Sequence, residues 1–229
     1  MPYFYFDSSY IVLLPALIFA LWAQAKVQSS FNKYNKIMTR SGMTGHDAAR
    51  LILNANGLHH VKIEQIAGNL TDHFDPKSNV IRLSSSVYSS SGVAAVGVAA
   101  HEAGHAVQYG EDYRPMKIRS AIIPVTRIGS MLALPIFLIG LIFSFYEIAM
   151  LGIILFSLTA VFQAVTLPVE FNASARALKA LDGSGRLDVD EVKGAKKVLT
   201  AAALTYVAAL ASSLAQILRL LIIVGRRRD

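Results

Sequence analysis

Residues 92–110 read GVAAVGVAAHEAGHAVQYG. The apolar run ahead of His101 covers nine residues, 92–100, well short of the roughly 20 that a bilayer-spanning helix needs. Its Gly and Ala residues would be costly on an exposed helix, so this helix belongs in a protein core where neighbouring backbone comes close. His101-Glu102-Ala103-Gly104-His105 fits H-E-x-x-H. The i, i+4 spacing puts both imidazoles on one helix face, one turn apart, where they can bind a single tetrahedral zinc. Glu102 is rotated one residue on, placed to take a proton from an attacking water and pass it to a leaving amine. Burying two His and a Glu on an Ala-rich helix with no metal or partner would be expensive.

Upstream, Thr44 and Asp47 have capping-box spacing, with Ala48, Ala49, Leu51 and Ile52 as the apolar face of a helix that Gly57 ends. Val61 and Ile63 alternate with Lys62 and Glu64, predicting a short strand. Asp72-His73-Phe74-Asp75-Pro76 reads as a turn or loop. Residues 79–84 alternate as a second strand, the candidate edge for pairing with an extended peptide. The expectation is a zincin-like α+β catalytic domain, a small sheet plus the HExxH helix.

The rest of the chain asks for a membrane. Of its 229 residues 54% are hydrophobic and 16% charged, against roughly 25% charged in an ordinary globular domain. With no Cys, a disulfide framework, a Cys zinc site and a Cys nucleophile are excluded. Residues 8–25, 128–146, 148–169 and 198–218 contain no Asp, Glu, Lys or Arg, apart from the flanking Glu147 and Glu170. Each is long enough to cross a bilayer as a helix. The expected chain is therefore a mostly α integral membrane protein with three to four transmembrane helices. Residues 1–25 form a retained anchor, 26–127 a catalytic segment with the HExxH helix, and 128–169 a hairpin turning at Tyr146-Glu147. Residues 170–197 form a second catalytic segment, and 198–229 a C-terminal helix. The Ala-, Ser- and Thr-rich residues 198–213 also suit a helix packed on the extramembrane part.

Twelve of the 22 basic residues lie in 26–127 and six in 170–197, with none before residue 26 or in the hairpin turn. The positive-inside rule places both segments in the cytoplasm. Arg219 and Arg226–Arg228 run against it. Lys193, Lys196 and Lys197 read as a surface facing anionic lipid. They lack the interleaved aromatics of a nucleic-acid site, so no nucleic-acid partner is expected. The charge-poor hairpin returns the chain to the side it left and delivers Glu170, at the head of EFNASARALKAL, as the third zinc ligand. His46, His59 and His60 read as exposed. Arg176, His73 and Tyr109 are candidate oxyanion stabilisers. His73 is also placed to orient its loop through Asp75.

The segments AAHEAGHAVQ, LTDHFDPKSNVIRLS and LPVEFNASARAL together resemble the neutral zinc metallopeptidases of the YugP type. These are integral-membrane gluzincins related to the HtpX-like heat-shock proteases and the CAAX prenyl proteases. The resemblance covers nearly the whole chain. It implies Zn2+ as cofactor, ligands at His101, His105 and Glu170, a catalytic base at Glu102, and a site facing the cytoplasm of a bacterial-type plasma membrane. It implies a polypeptide substrate beside the lipid bilayer, with a homo-oligomer or membrane-protein partner compatible. The chain departs from the pattern at one place, with a second difference from the HtpX-like relatives. Asn172 stands where an acidic residue is usual, and Ser174 where HtpX-like relatives carry an Asp that supports a ligand His. A neutral support would hold a ligand His less firmly. The alternative function is a non-catalytic membrane assembly factor with a structural zinc, closed by a fourth ligand such as His73. A transporter is disfavoured by the lack of ionisable residues within the spans.

Overall fold

The computed structural model of the chain describes residues 8–226, so Met1–Asp7 of the anchor, and Arg227 and Arg228 of the basic tail, lie outside the described residues. A 3-10 turn (Ser8–Leu13) leads into α1 (Leu14–Tyr34). After it come α2 (Gly45–Ala55), β1 (Lys62–Ile66), β2 (His73–Asp75), β3 (Val80–Ser84), the short α3 (Ser85–Tyr88) and α4 (Val93–Gly110). Three long helices complete the chain: α5 (Arg114–Ile142), α6 (Tyr146–Gly183) and α7 (Val189–Gly225). The chain divides into two compact units. One holds residues 8–23, 118–166 and 205–226; the other holds 24–117 and 167–204.

In the first unit, α5, α6 and α7 pack through Phe137, Ala149, Ile153, Leu220 and Val224. A Cβ on Gly152 would lie 2.6 Å from the Phe137 backbone nitrogen, so α5 and α6 meet backbone to backbone there. The hairpin turns at residues 143–145, slightly earlier than expected, and Glu147 sits in the first turn of α6. A carboxylate is favoured there by the unpaired N–H groups of the helix start. Among the described residues, four helices are long and apolar enough to cross a membrane. Only 11% to 22% of the most apolar stretch of each is buried in protein. Ile18, Met131 and Ile142 are each more than 60% exposed, surfaces that hydrocarbon covers at no cost and water does not. The chain is a mostly α integral membrane protein with a small sheet. Residues 198–218 fall within the single helix α7. At its far end Arg226 donates to the Ser8 hydroxyl at 2.9 Å, and the Arg219 guanidinium lies 3.8 Å from the centre of the Tyr10 ring.

The second unit is built around α4, whose Val93–Val96, Ala99, Ala100, Ala103 and Ala106 are almost wholly buried. They pack with Ala48, Ala49, Ile52 and Leu53 of α2, Ile81 and Leu83 of β3, Ala177 and Leu181 of α6, and Ala195 and Val198 of α7. The α2 capping box forms as the sequence predicts: Thr44 Oγ1 accepts from Asp47 N, and Asp47 returns a bond to Thr44 N. The sheet order is β1-β3-β2, with β1 parallel and β2 antiparallel to β3. Two expectations change here. Residues 73–75 form a strand rather than a loop, because pairing of His73, Phe74 and Asp75 with Arg82, Ile81 and Val80 outweighs the local turn signals. And β3 is the central strand, so both of its edges are taken; the open edges belong to β1 and β2.

Candidate metal centre

Glu170 does not open a new helix. It lies inside α6, which runs unbroken from Tyr146 to Gly183. Gly104 sets its distance from α4. A Cβ at Gly104 would sit 2.6 Å from the Ala173 carbonyl oxygen, so any larger residue would push α6 away. At this contact Glu170 Oε2 lies 3.2 Å from His101 Nε2 and 3.5 Å from His105 Nε2. The ligand atoms of the three residues all fall within 4.8 Å of one another. Zinc at about 2.0–2.1 Å from tetrahedrally arranged donors requires them roughly 3.3 Å apart, so the three side chains fit the ion. Glu170 is 2% exposed and His105 8%. Burial works against a protonated His105. The Glu170 hydrogen bond and the Glu102 and Glu170 charges outweigh it and raise its pKa above the ordinary imidazole value. The pocket favours a positive charge where the Nε2 atoms converge, and a divalent cation meets that demand better than a proton.

Each imidazole is held from behind by its Nδ1. His101 Nδ1 lies 3.1 Å from the Ser174 hydroxyl. His105 Nδ1 lies 3.0 Å from Gln108 Oε1. Gln108 Nε2 donates to the Val169 carbonyl at 2.8 Å and to Asn172 Oδ1 at 2.9 Å. A carbonyl can only accept, so the amide orientation is forced, and Oε1 must face His105. His105 therefore keeps a proton on Nδ1, and Nε2 is the nitrogen it turns toward Glu170, the one a metal would take in place of a proton. Asn172 Oδ1 also accepts from Arg176 Nε at 2.7 Å, and Arg176 Nη1 pairs with Glu111 Oε2 at 2.7 Å. Asn172 and Ser174 thus both stand behind the histidines.

Glu102 Oε2 accepts from the Phe74 backbone N–H at 3.0 Å. That bond ties β2 to the HExxH helix. Two residues earlier, Asp72 anchors the loop by accepting from Ser84 N at 2.7 Å and from the Ser84 hydroxyl. Burial raises the Asp72 pKa, with a smaller push from Glu102, against the lowering effect of the Ser84 bonds. His73 is exposed and donates from Nδ1 to the Thr71 carbonyl at 2.9 Å. Asp75 is held instead by Ser78, Lys77 N and Arg82, so it does not orient His73. His73 lies outside the group of three ligand atoms. Tyr109 packs its ring against Phe74 with centroids 5.8 Å apart.

A family model described as "Putative neutral zinc metallopeptidase" matches residues 9–225. The chain belongs to this family. It is 46% identical over 216 residues to "Putative membrane protease YugP" of Bacillus subtilis (strain 168), covering 94% of this chain and 96% of that protein. No solved structure matches. The family supplies what geometry alone leaves open, that zinc is the ion such a site takes and peptide hydrolysis the class of reaction. The sequence pointed to His101, Glu102, His105 and Glu170. It missed Gln108, although its i+3 spacing from His105 puts the two on one helix face. Asp72 and the Phe74 N–H gave no local signal, because the first is placed by its bonds to Ser84 and the second by the pairing of β2 with β3.

Proposed function

We propose that the chain is a membrane-embedded zinc endopeptidase of gluzincin type that cleaves membrane or membrane-proximal polypeptides on the cytoplasmic side. The observation that carries the reading is the convergence of three ligand atoms beside a Glu102 carboxylate with only one of its oxygens committed to the protein. Three protein ligands leave one position of a tetrahedral ion for reactants, the pattern of catalytic rather than structural sites. The cytoplasmic orientation is supported by the basic residues of segments 26–127 and 170–197.

Zinc, when bound, supplies a Lewis acid that acidifies an attacking water and polarises the scissile carbonyl. Held by the Phe74 N–H on Oε2, Glu102 keeps Oε1 to receive the proton of that water. The same carboxyl then hands the proton to the departing amine. The open edge of β2 offers a place for an extended substrate to lie as an added strand. Arg176 has Nε and Nη1 committed to Asn172 and Glu111, which supports a positioning role for it. His73, one residue before the Phe74 that binds Glu102, is the oxyanion donor this reading favours. In the test, wild type and Glu102→Gln are purified, and zinc content and hydrolysis of an unfolded protein are measured together. The expected result is full zinc and at least a ~10³-fold loss of rate. Equal cleavage by both proteins would remove Glu102 from the mechanism.

A further inference from the structure

Away from the zinc ligands, α1 and α7 enclose a cleft of about 660 Å³. Lys26 and Lys33 of α1 and Lys193, Lys196 and Lys197 of α7 line it, with no Asp or Glu in the lining. Ser29, Ser30, Tyr34 and Thr200 add hydroxyl groups. Of the five lysines, Lys193 pairs with Asp190 at 3.1 Å. Lys26, Lys33, Lys196 and Lys197 have no carboxylate partner among the described residues. The Lys33 and Lys197 ammonium groups flank the Tyr34 ring at 5.4 and 6.0 Å from its centre. The ring is wedged in place, since a Cβ on Gly194 would lie 2.8 Å from it. Two capping bonds fix this end of α7. Glu191 accepts from Asp188 N and from Arg40 N, at 2.8 and 2.7 Å. So many like charges around one cavity repel one another, and an anion entering it relieves that repulsion.

The lining also says which anion. Along α1 it runs from Lys33 back to Lys26, the first charge after the charge-free residues 8–25. Along α7 it runs from Lys193 through Lys197, the last charge before the charge-free residues 198–218, and on to Ala201 and Leu204. On α7 the cleft passes from cationic to apolar in the direction of the hydrocarbon, and on α1 it ends at Lys26, at the border of the charge-free residues. A free phosphate would use only the cationic end. An amphiphile uses both. We propose that this cleft is a binding site for the phosphate headgroup of an anionic phospholipid, with the lysines on the phosphate and Ala201 and Leu204 beside the start of the acyl chains.

The test uses the full chain in phosphatidylcholine nanodiscs, with spin-labelled phosphatidylglycerol or phosphatidylcholine as the probe and the immobilised fraction as the readout. Wild type should prefer phosphatidylglycerol by at least ~5-fold, and a Lys26→Gln, Lys33→Gln, Lys196→Gln, Lys197→Gln variant should fall to within ~2-fold of no preference. The same four positions changed to Arg should keep the preference, which separates lost charge from lost folding. Four Lys→Gln changes elsewhere, at Lys62, Lys77, Lys117 and Lys179, should also leave it. Inorganic phosphate should release the labelled lipid no better than chloride at equal ionic strength. The proposal is overturned if the cleft variant keeps its preference, if the control set loses it equally, or if inorganic phosphate competes specifically. None of these readouts depends on peptidase activity.

Discussion

His101 and His105 face the same carboxylate but are braced from behind in different ways. His101 meets a single hydroxyl, Ser174, one turn beyond Glu170 on α6. His105 meets an amide that is itself held at two points, by Val169 O and Asn172, with Arg176 and Glu111 behind. A hydroxyl can donate or accept and rotates freely, so it does not dictate which nitrogen of His101 carries the proton. The Gln108 amide has no such freedom, and it fixes a proton on His105 Nδ1. Gln108 is wholly buried, so its bonds are made in a dry setting where an unmade bond costs most. The neutral residue at 172 now has a physical meaning. Its carbonyl oxygen accepts from Gln108 and Arg176 together, and the positive charge of Arg176 is taken up by Glu111 instead. The α4 brace is thus a preset one, and the α6 brace an adaptable one.

Glu170 belongs to both halves of this comparison, so removing it should have the largest effect. Glu170→Gln keeps the shape of the side chain and removes its charge. The two imidazoles would then face each other at a centroid distance of 4.6 Å without a counter-charge. Loss of the proposed third ligand should exceed the 10–100-fold typical of changes behind a ligand, so zinc affinity should fall by more than ~100-fold. Zinc stoichiometry after dialysis against a weak chelator measures this directly. Unchanged stoichiometry would mean that the third ligand lies elsewhere.

Next comes the preset brace. Gln108→Ala removes the acceptor for His105 Nδ1–H and frees the ring to turn. Zinc affinity should drop by roughly 10–100-fold. The same change strips Val169 O of a buried partner, so stability should fall by about 1–3 kcal/mol. Measuring the two separately matters, by chelator competition for zinc and by denaturation of the zinc-free protein for stability. A loss of stability with unchanged zinc affinity would reduce Gln108 to a packing residue and dissolve the contrast between the two histidines.

How much of this could be read beforehand follows the range of the interactions involved. The HExxH helix, the α2 capping box and the charge-free spans are local patterns, and each lies where its spacing puts it. Glu170 was legible because a charge-free hairpin leaves few places for its chain to return. The three-residue strand β2 was not, because Asp72, Asp75 and Pro76 all signal a turn, and only its partner β3 makes residues 73–75 extended. The same long-range pairing moved β3 from the edge to the centre of the sheet. The brace behind His105 joins residues on α4 and α6 more than 60 positions apart. No periodicity encodes such a bond. The small residues that permit it, Gly104 and Ala173, read in the sequence only as general close packing.

The smallest effect is expected at the adaptable brace. Ser174→Ala removes one hydroxyl from behind His101 and leaves the zinc-facing Nε2 and Glu170 in place. His101 is less enclosed than His105, with its side chain 15% exposed against 10%, so water can approach to replace the lost partner. Zinc affinity should change by less than ~10-fold, clearly less than for Gln108→Ala. The informative measurement is the pair of affinities in one buffer, together with the double variant. If the two braces act on separate ligands of one ion, their effects on the free energy of binding should add to within about 0.5 kcal/mol. A Ser174→Ala loss as large as that of Gln108→Ala would reverse the ranking. The hydroxyl would then be as fixed as the amide, and the asymmetry between the two histidines would lie in the number of their hydrogen bonds and not in how firmly each ring is held.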